Sequence, residues 1–335
     1  MPSLATFSDF LWKLLIITSV SSVIIFGVFL LLQPFLRRIS GGLYNKVARI
    51  SLVTVLGTMI LGTVLLLSVD QDIQDSCFGS FASAQGSFGV TRIVALVWLV
   101  GVVAFSAVDF IRIARFQRFL KKSTLSQESE YLRVDDSLAP ASFGFLSPRI
   151  LLPVQVADSE VLKHFVLSHE KTHVRNRDGL WTGIALLVSR LCWFNPIVIF
   201  FEHGRRLAME MATDEEVIQR HSFHPAEYAT AMLRVLEMSG PQQAPHLAVG
   251  AALGFNEMKF RLENLKALNN EKPKALRVTV LAVMCIGWFI GISEAFASMN
   301  LSSEKSPEAN MCYQVQHEKI IERMLNMETR TNKCE

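Results

Sequence analysis

The sequence predicts an α-helical integral membrane protein that carries a cytoplasmic α+β domain. The chain of 335 residues is 50% hydrophobic and 19% charged, with a mean hydropathy of +0.33, which is more apolar than an ordinary soluble domain. Four stretches approach the roughly 20 apolar residues that a helix needs to cross a bilayer. Between the third and the fourth, short β-forming segments alternate with longer helical patterns.

The four apolar stretches are free of charge or carry charge only at their ends, where long side chains can reach the interface. They comprise residues 14–32, 50–69, 92–109 and 277–293. Core helices of a large soluble protein are the alternative, but the first two stretches match the bilayer length closely. Residues 1–111 are therefore predicted to hold three membrane helices, 277–297 a fourth, and 298–335 a short extracytoplasmic tail.

Basic residues in the short loops predict the orientation of the chain. They follow the first and third stretches and precede the fourth, whereas the loop after the second contains Asp70, Asp72 and Asp75. Alternating spans then place the N-terminus and the tail outside and residues 112–276 in the cytoplasm. The net charge of only +3 gives no basic field of the kind that nucleic-acid binding needs, so we expect no direct nucleic-acid contact.

The cysteines fit this orientation. Cys77, Cys312 and Cys334 fall in segments assigned to the outer face, where a disulfide can persist, although the sequence does not choose the pair. Cys192 and Cys285 fall in apolar helices, which is typical of packing residues. No Cys-x-x-Cys pair occurs, which argues against a thiolate zinc site.

The cytoplasmic block begins with β-formers and continues as a helix. Residues 131–134, 142–146 and 150–156 are predicted to be extended, with breaks at Pro140 and Pro148. A long helix should follow, capped by Asp158 or Ser159 and ended by Gly179.

This helix contains the stretch "LSHEKTHVRNRDG", in which His169 and His173 are four residues apart and Glu170 lies between them. Leu162, Val166 and both histidines share one stripe, so the imidazoles point inward as neighbours. Two such imidazoles can bind one zinc ion, and Glu170 can act on a water molecule, as in the His-Glu-x-x-His pattern of zinc peptidases. The alternative is a pair of hydrogen-bonded core histidines beside an exposed glutamate.

A catalytic zinc site commonly has three protein ligands. Glu210 in "EMATDEE" is the best candidate for the third, and Asp214 one turn later could orient a ligand histidine. Glu215 and Glu216 are expected to form a solvated helix face. The rival ligands His164, His203, His221 and His224 have no partner at comparable helical spacing.

A fifth apolar stretch, residues 180–201, separates His173 from Glu210. If it crossed the membrane, the histidines and Glu210 would lie on opposite sides. Arg190 interrupts this stretch and Pro196 disfavours helix just before it. We therefore expect a membrane-associated helical hairpin over residues 180–208, whose second arm returns Glu210 to the histidines.

These motifs occur in one order that resembles the bacterial membrane metallopeptidases of the β-lactam sensor-transducer type, which are antirepressor proteases. The matching stretches are "ASFGFLSPRILLP", "LSHEKTHVRNRD", "CWFNPIV", "MEMATDEEVI" and "EYATAMLRV". The resemblance implies a gluzincin-like fold and a place in the bacterial inner (cytoplasmic) membrane.

The resemblance also implies roles for individual residues. His169, His173 and Glu210 become zinc ligands, Glu170 the general base, and Asp214 a residue that supports the ligands. The strand around residues 142–146 becomes an edge to which an extended protein or peptide substrate adds, with an ordinary sheet strand as the alternative. The residues assigned to this edge are Ser142, Phe143, Gly144 and Phe145.

The chain also departs from this family. Sensor proteins carry a large penicillin-binding domain after the last span, and we expect none in the roughly forty residues that follow here. The "SSEK" at 302–305 is read as a chance match to an acylation motif. The leading hypothesis is a zinc endopeptidase that cuts a regulatory protein such as a transcriptional repressor. A non-catalytic receptor or scaffold is the alternative, and a transporter ranks last because the first two spans contain no ionisable residue.

Overall fold

The computed structural model describes residues 4–68, 88–136, 138–238 and 255–267. Three long helices come first, α1 (Leu4–Ile39), α2 (Gly41–Ser68) and α3 (Phe88–Ser123). Four short strands follow, β1 (Thr124–Gln127), β2 (Leu132–Val134), β3 (Ala141–Phe143) and β4 (Arg149–Pro153). The remaining described helices are α4 (Val154–Asp158), α5 (Glu160–Arg175), α6 (Asp178–Leu191), α7 (Ile197–His221), α8 (Pro225–Met238) and α9 (Phe255–Ala267).

Helices α1, α2 and α3 are long and apolar enough to cross a membrane, over Phe10–Ile39, Gly41–Val64 and Arg92–Ser123. They contain most of the first three predicted spans. Helix α3 leaves Val100, Val103 and Phe110 exposed, as expected of a face that meets lipid. The predicted domain boundary at residue 111 lies within this continuous helix. The fourth predicted span, the predicted tail and Cys77, Cys285, Cys312 and Cys334 lie outside the described residues.

The main apolar core joins α1 and α2 to α6 and α7. Phe26 stacks on Phe201 with 4.0 Å between ring centroids, and Phe29 meets the same ring edge-on. These rings and Tyr44 are fully buried. Helices α1 and α2 therefore share one core with two of the helices that follow the sheet.

Helices α6 and α7 are joined by a turn at residues 192–196, inside the predicted hairpin range 180–208, and the membrane association of that hairpin stays a prediction. The Asn195 side chain accepts a hydrogen bond from the backbone N–H of Ile197 at 3.0 Å, which starts α7 just after Pro196. The turn is seated among the long helices, because Asn195 Nδ2 donates to Ser22 Oγ of α1 at 3.0 Å and Trp98 Nε1 of α3 donates to the Leu191 carbonyl at 2.9 Å.

The strands form one mixed sheet in the order β1-β2-β4-β3. Strands β2 and β4 are parallel, and the other pairs are antiparallel. Strand β3 pairs only with β4 among the described residues, so it is an edge strand. The predicted extended segments were too long, because residues 144–147 bend away after β3 and Val154 already begins α4.

Helix α5 is capped at Ser159, whose side chain accepts a hydrogen bond from the N–H of Leu162. The helix ends at Arg175, so the prediction that Gly179 ends it was wrong. Arg177 adopts a left-handed conformation with φ 54°, which reverses the chain, and α6 begins at Asp178. Gly179 is needed for another reason, since a Cβ there would collide with the carbonyl oxygen of Gly144.

Candidate metal centre

One turn of α5 and one turn of α7 face each other around three candidate ligand groups. The Nε2 atoms of His169 and His173 are 3.1 Å apart. From α7, Glu210 places Oε2 at 3.4 Å from His169 Nε2 and Oε1 at 3.6 Å from His173 Nε2. Tetrahedral ligands at about 2.0–2.1 Å from zinc lie about 3.3 Å apart, so these three separations fit such a site. All three side chains are buried.

The second ring nitrogen of His173 is held by a carboxylate. Its Nδ1 lies 2.6 Å from Asp178 Oδ2 and 3.3 Å from Thr213 Oγ1. Donation of the Nδ1 proton to Asp178 fixes the tautomer whose Nε2 lone pair is free for a metal. The sequence analysis missed Asp178, although it lies five residues after His173 in the quoted motif.

His169 is held through a tyrosine. Its Nδ1 lies 2.7 Å from the hydroxyl of Tyr228 on α8, which in turn donates to Asp214 Oδ1 at 2.8 Å. Asp214 itself is 3.4 Å from His169 Nδ1. Asp214 therefore lies near His169, but its closest link to that histidine runs through Tyr228, to which the sequence analysis gave no role.

Glu170 points into the same buried space. Its side chain is nearly inaccessible, and its Oε2 accepts no hydrogen bond from the described residues. Burial raises the pKa of Glu170 above its ordinary value, which makes it a better proton acceptor when ionised. The alternative of core histidines beside an exposed glutamate does not describe this arrangement.

The field around the ligands is set by carboxylates and one buried arginine from α9. Arg261 Nη1 is 3.1 Å from Glu210 Oε2, and its Nε and Nη2 each donate to Asp214 at 2.8 Å. Burial raises the pKa of Glu210, but Arg261 and the histidines outweigh it and lower the pKa to about 2. Burial lowers the pKa of His169, but Asp214 and Glu210 outweigh it and raise the pKa to about 10. The carboxylates of Glu210 and Asp214 thus stay ionised and favour a bound positive charge, whether a proton on His169 or a metal ion. No motif or spacing in the sequence pointed to Arg261 as part of this site.

Two contacts connect the candidate metal centre to the start of α2. Arg49 is ion-paired with Asp178, and Glu215 accepts hydrogen bonds from the N–H groups of Gly41 at 2.6 Å and Gly42 at 2.9 Å. The expectation that Glu215 is solvated was wrong, because it binds the exposed amides of a helix N-terminus. Glu216 lies near the surface and pairs with Arg175 at 2.9 Å.

The predicted substrate edge lies next to His173. A cavity of about 340 Å³ opens between Ser142, Gly144 and Phe145 on one side and His173 and Arg177 on the other. Within β3, Ser142 is buried and its partner across the sheet is Ile150. Phe143 packs against Phe116 of α3, with ring centroids 4.9 Å apart. Phe145 lies after the strand, in the bend, and packs on Gly183.

The rival histidines have other surroundings. His203 lies 3.1 Å from Glu257, and the rings of His164 and His221 pack around Phe223. The described residues bring none of them into the group of His169, His173 and Glu210.

Comparison with known proteins gives a family match over residues 69–265, to the family described as BlaR1 peptidase M56. The methicillin resistance mecR1 protein of Staphylococcus aureus is 22% identical over 253 residues, which cover 67% of this chain and 42% of that protein. The regulatory protein BlaR1 of Bacillus licheniformis is 30% identical over 83 residues, which cover 24% of this chain and 14% of that protein. The chain thus spans less than half the length of these relatives.

Proposed function

Because the chain belongs to the BlaR1 peptidase M56 family, we propose that it is a membrane-embedded zinc endopeptidase that cleaves a cytoplasmic regulatory protein, such as a transcriptional repressor. The observation that carries this proposal is the convergence of His169, His173 and Glu210, with ligand atoms all within 4.8 Å of one another, beside the buried carboxylate of Glu170. Zinc in such a site supplies Lewis acidity that polarises the scissile carbonyl and lowers the pKa of water.

Each protein group has a distinct task in the proposed hydrolysis. Asp178 and Tyr228 hold the imidazoles so that both Nε2 atoms face Glu210. Glu170, whose Oε2 has no hydrogen-bond partner among the described residues, accepts a proton from the attacking water. As the C–N bond breaks, Glu170 returns that proton to the leaving amine, so that one water is consumed for each peptide bond cut.

Strand β3 supplies the proposed docking edge. Its free side can add an extended peptide through main-chain hydrogen bonds. The cavity of about 340 Å³ beside Ser142 and His173 has room for a substrate side chain next to the ligands. The proposal includes a gluzincin-like fold. It also includes a cytoplasmic position for this edge, because basic residues near the end of α3 favour the cytoplasmic side of the membrane.

Glu170→Gln tests the proposal, since glutamine keeps the shape and removes the base. Glu160→Gln is the matched control, because Glu160 lies on the same helix and its side chain is 84% exposed. We expect equal zinc content in the wild type and both variants. Protein N-termini in producing cells should include at least one that is present with the wild type and Glu160→Gln and absent with Glu170→Gln.

An unchanged set of N-termini in the Glu170→Gln cells, with stoichiometric zinc in all three proteins, would contradict the peptidase proposal. It would favour the non-catalytic receptor or scaffold instead.

A further inference from the structure

A second cavity, of about 900 Å³, lies between α3 and the α6–α7 hairpin, apart from the candidate metal centre. Its lining changes character along the helices. Phe105, Trp193 and Ile199 line the part next to the hairpin turn. Arg112, Arg115 and Arg206 line the opposite part, together with the rings of Phe116 and Phe119. Between them lie Asp109, Arg190 and Glu202.

The positions of these residues along α3 and α7 explain why the apolar part lies next to the turn and the arginines lie farther away. Trp193 Nε1 donates to the Trp98 carbonyl at 3.2 Å, so the turn lies beside the first part of α3. From there α3 and α7 both run away from the turn, at 1.5 Å per residue. Arg115 is ten residues beyond Phe105, and Arg206 is seven beyond Ile199, so the arginines stand roughly 10–15 Å from the apolar end.

The cavity carries excess positive charge. Asp109 pairs with Arg190 and lies 3.9 Å from Arg112, while Glu202 binds Arg206 at 3.2 Å and the buried Arg205 at 2.7 Å. Two carboxylates therefore face four lining arginines and Arg205. Arg115 has no ion-pair partner in the described part of the chain, and the Arg112 side chain is 58% exposed.

The apolar side of this cavity faces outward. Ile199 on its rim is 71% exposed, and its neighbour Phe200 is 64% exposed. Both follow a turn that is hydrogen-bonded to α1 and α3, the helices long and apolar enough to cross a membrane. Exposed apolar side chains at that depth meet lipid chains at no cost, whereas the arginines lie toward the end of α3 that carries Lys121 and Lys122.

We propose that this cavity binds an anionic phospholipid from the leaflet next to the arginines. Its phosphate contacts Arg112 and Arg115, and one acyl chain lies along Phe105, Trp193 and Ile199. Basic pockets between membrane helices bind anionic headgroups, and the apolar end matches a hydrocarbon chain. The bound lipid bridges α3 and α7, and this role is independent of peptidase activity.

Native mass spectrometry of the full-length protein in detergent tests the proposal, with phosphatidylglycerol or phosphatidylcholine added after delipidation. We expect phosphatidylglycerol to bind with clear preference. The double variant Arg112→Gln/Arg115→Gln should bind it roughly 30-fold less tightly, because each arginine near an anionic headgroup contributes a factor of about five. Arg118→Gln is the matched control, since Arg118 is exposed on the same helix and does not line the cavity.

Restored binding in Arg112→Lys/Arg115→Lys would support charge as the cause, and a melting temperature of the glutamine pair equal to that of the wild type would show that it had not simply misfolded. Equal binding of the two lipids, or an equal effect of Arg118→Gln, would overturn the proposal. Full displacement of phosphatidylglycerol by inorganic phosphate would assign the arginines to a free anion and also overturn it. So would a photo-crosslinker at position 199 that captured another protein or residues 277–293 of the chain in place of lipid.

Discussion

His173 Nδ1 lies 2.6 Å from Asp178 Oδ2, and both side chains are completely buried. Asp178 is also ion-paired with Arg49 of α2, so a single carboxylate connects a candidate metal ligand to a helix that is long and apolar enough to cross a membrane. Its position at the start of α6, after the left-handed Arg177, gives it this double contact.

Asp178→Asn should weaken zinc binding by about 10–100-fold, because the amide no longer balances the charge that develops on His173. Competition with a chromophoric chelator measures this. Asp158→Asn is the control, since its side chain is 57% exposed and pairs only with surface Arg133 in the described structure. Equal zinc affinity in the two variants would show that Asp178 does not support the ligand.

Arg49→Gln should lower the free energy of unfolding by about 1–3 kcal/mol, because it leaves the buried Asp178 without its cationic partner. Thermal unfolding in detergent, measured without zinc, tests this. Arg38→Gln serves as the control, because Arg38 is exposed near the end of α1. If both variants melt at the same temperature, the Arg49–Asp178 pair contributes little to stability.

Gly41→Ala should also destabilise the protein, by about 1–3 kcal/mol, because the new methyl group overpacks a rigid contact. A Cβ at Gly41 would lie 2.5 Å from the carbonyl carbon of Met211 on α7. Gly57→Ala is the matched control in the same helix, since a Cβ there meets nothing within 4 Å. Thermal unfolding of both variants tests this prediction. A melting temperature of Gly41→Ala equal to that of the wild type would rule out a close α2–α7 contact.

Zinc affinity should fall as the pH is lowered from about 8 to about 6, because each imidazole must release a proton before it can bind a metal. The pKa of His169 is about 10 in the metal-free site, and that of His173 is also raised, so protons compete with zinc throughout this range. The expected slope is up to about tenfold per pH unit for each proton released. Chelator competition at several pH values measures it, with exposed His203→Gln as a control that should keep the slope. An affinity independent of pH would place the metal elsewhere.

Local patterns in the sequence predict much of this arrangement. The four-residue spacing of His169 and His173 lies within one helix, and the break before Pro196 lies within one turn. Both can therefore be predicted from the local sequence, without knowledge of the tertiary structure. Those two features are enough to bring Glu210 back toward the histidines. The family match and the apolar helices agree with a membrane peptidase.

Contacts between distant segments could not be predicted in the same way. Arg261 reaches Glu210 from α9, and Glu215 binds Gly41, which lies 174 residues earlier in the sequence. Acidic residues in a run look alike in sequence, but only packing decides that Glu215 is buried and Glu216 is near the surface. The sequence predicted the wrong end for α5, because a non-glycine residue, Arg177, adopts the left-handed conformation that glycine usually adopts after a helix.

The hydrogen bonds that hold the hairpin turn also have a consequence for the order in which the protein folds during synthesis. Ser22 and Trp98 form hydrogen bonds with polar atoms at the hairpin turn, and burial of those atoms without partners would cost free energy. Because α1 and α3 are synthesised before residues 192–196, both hydrogen-bond partners are already present when the hairpin folds. A truncated product that starts after residue 111 has neither partner and lacks more than half of the shared core. We therefore expect such a truncation to aggregate when expressed as a water-soluble fragment.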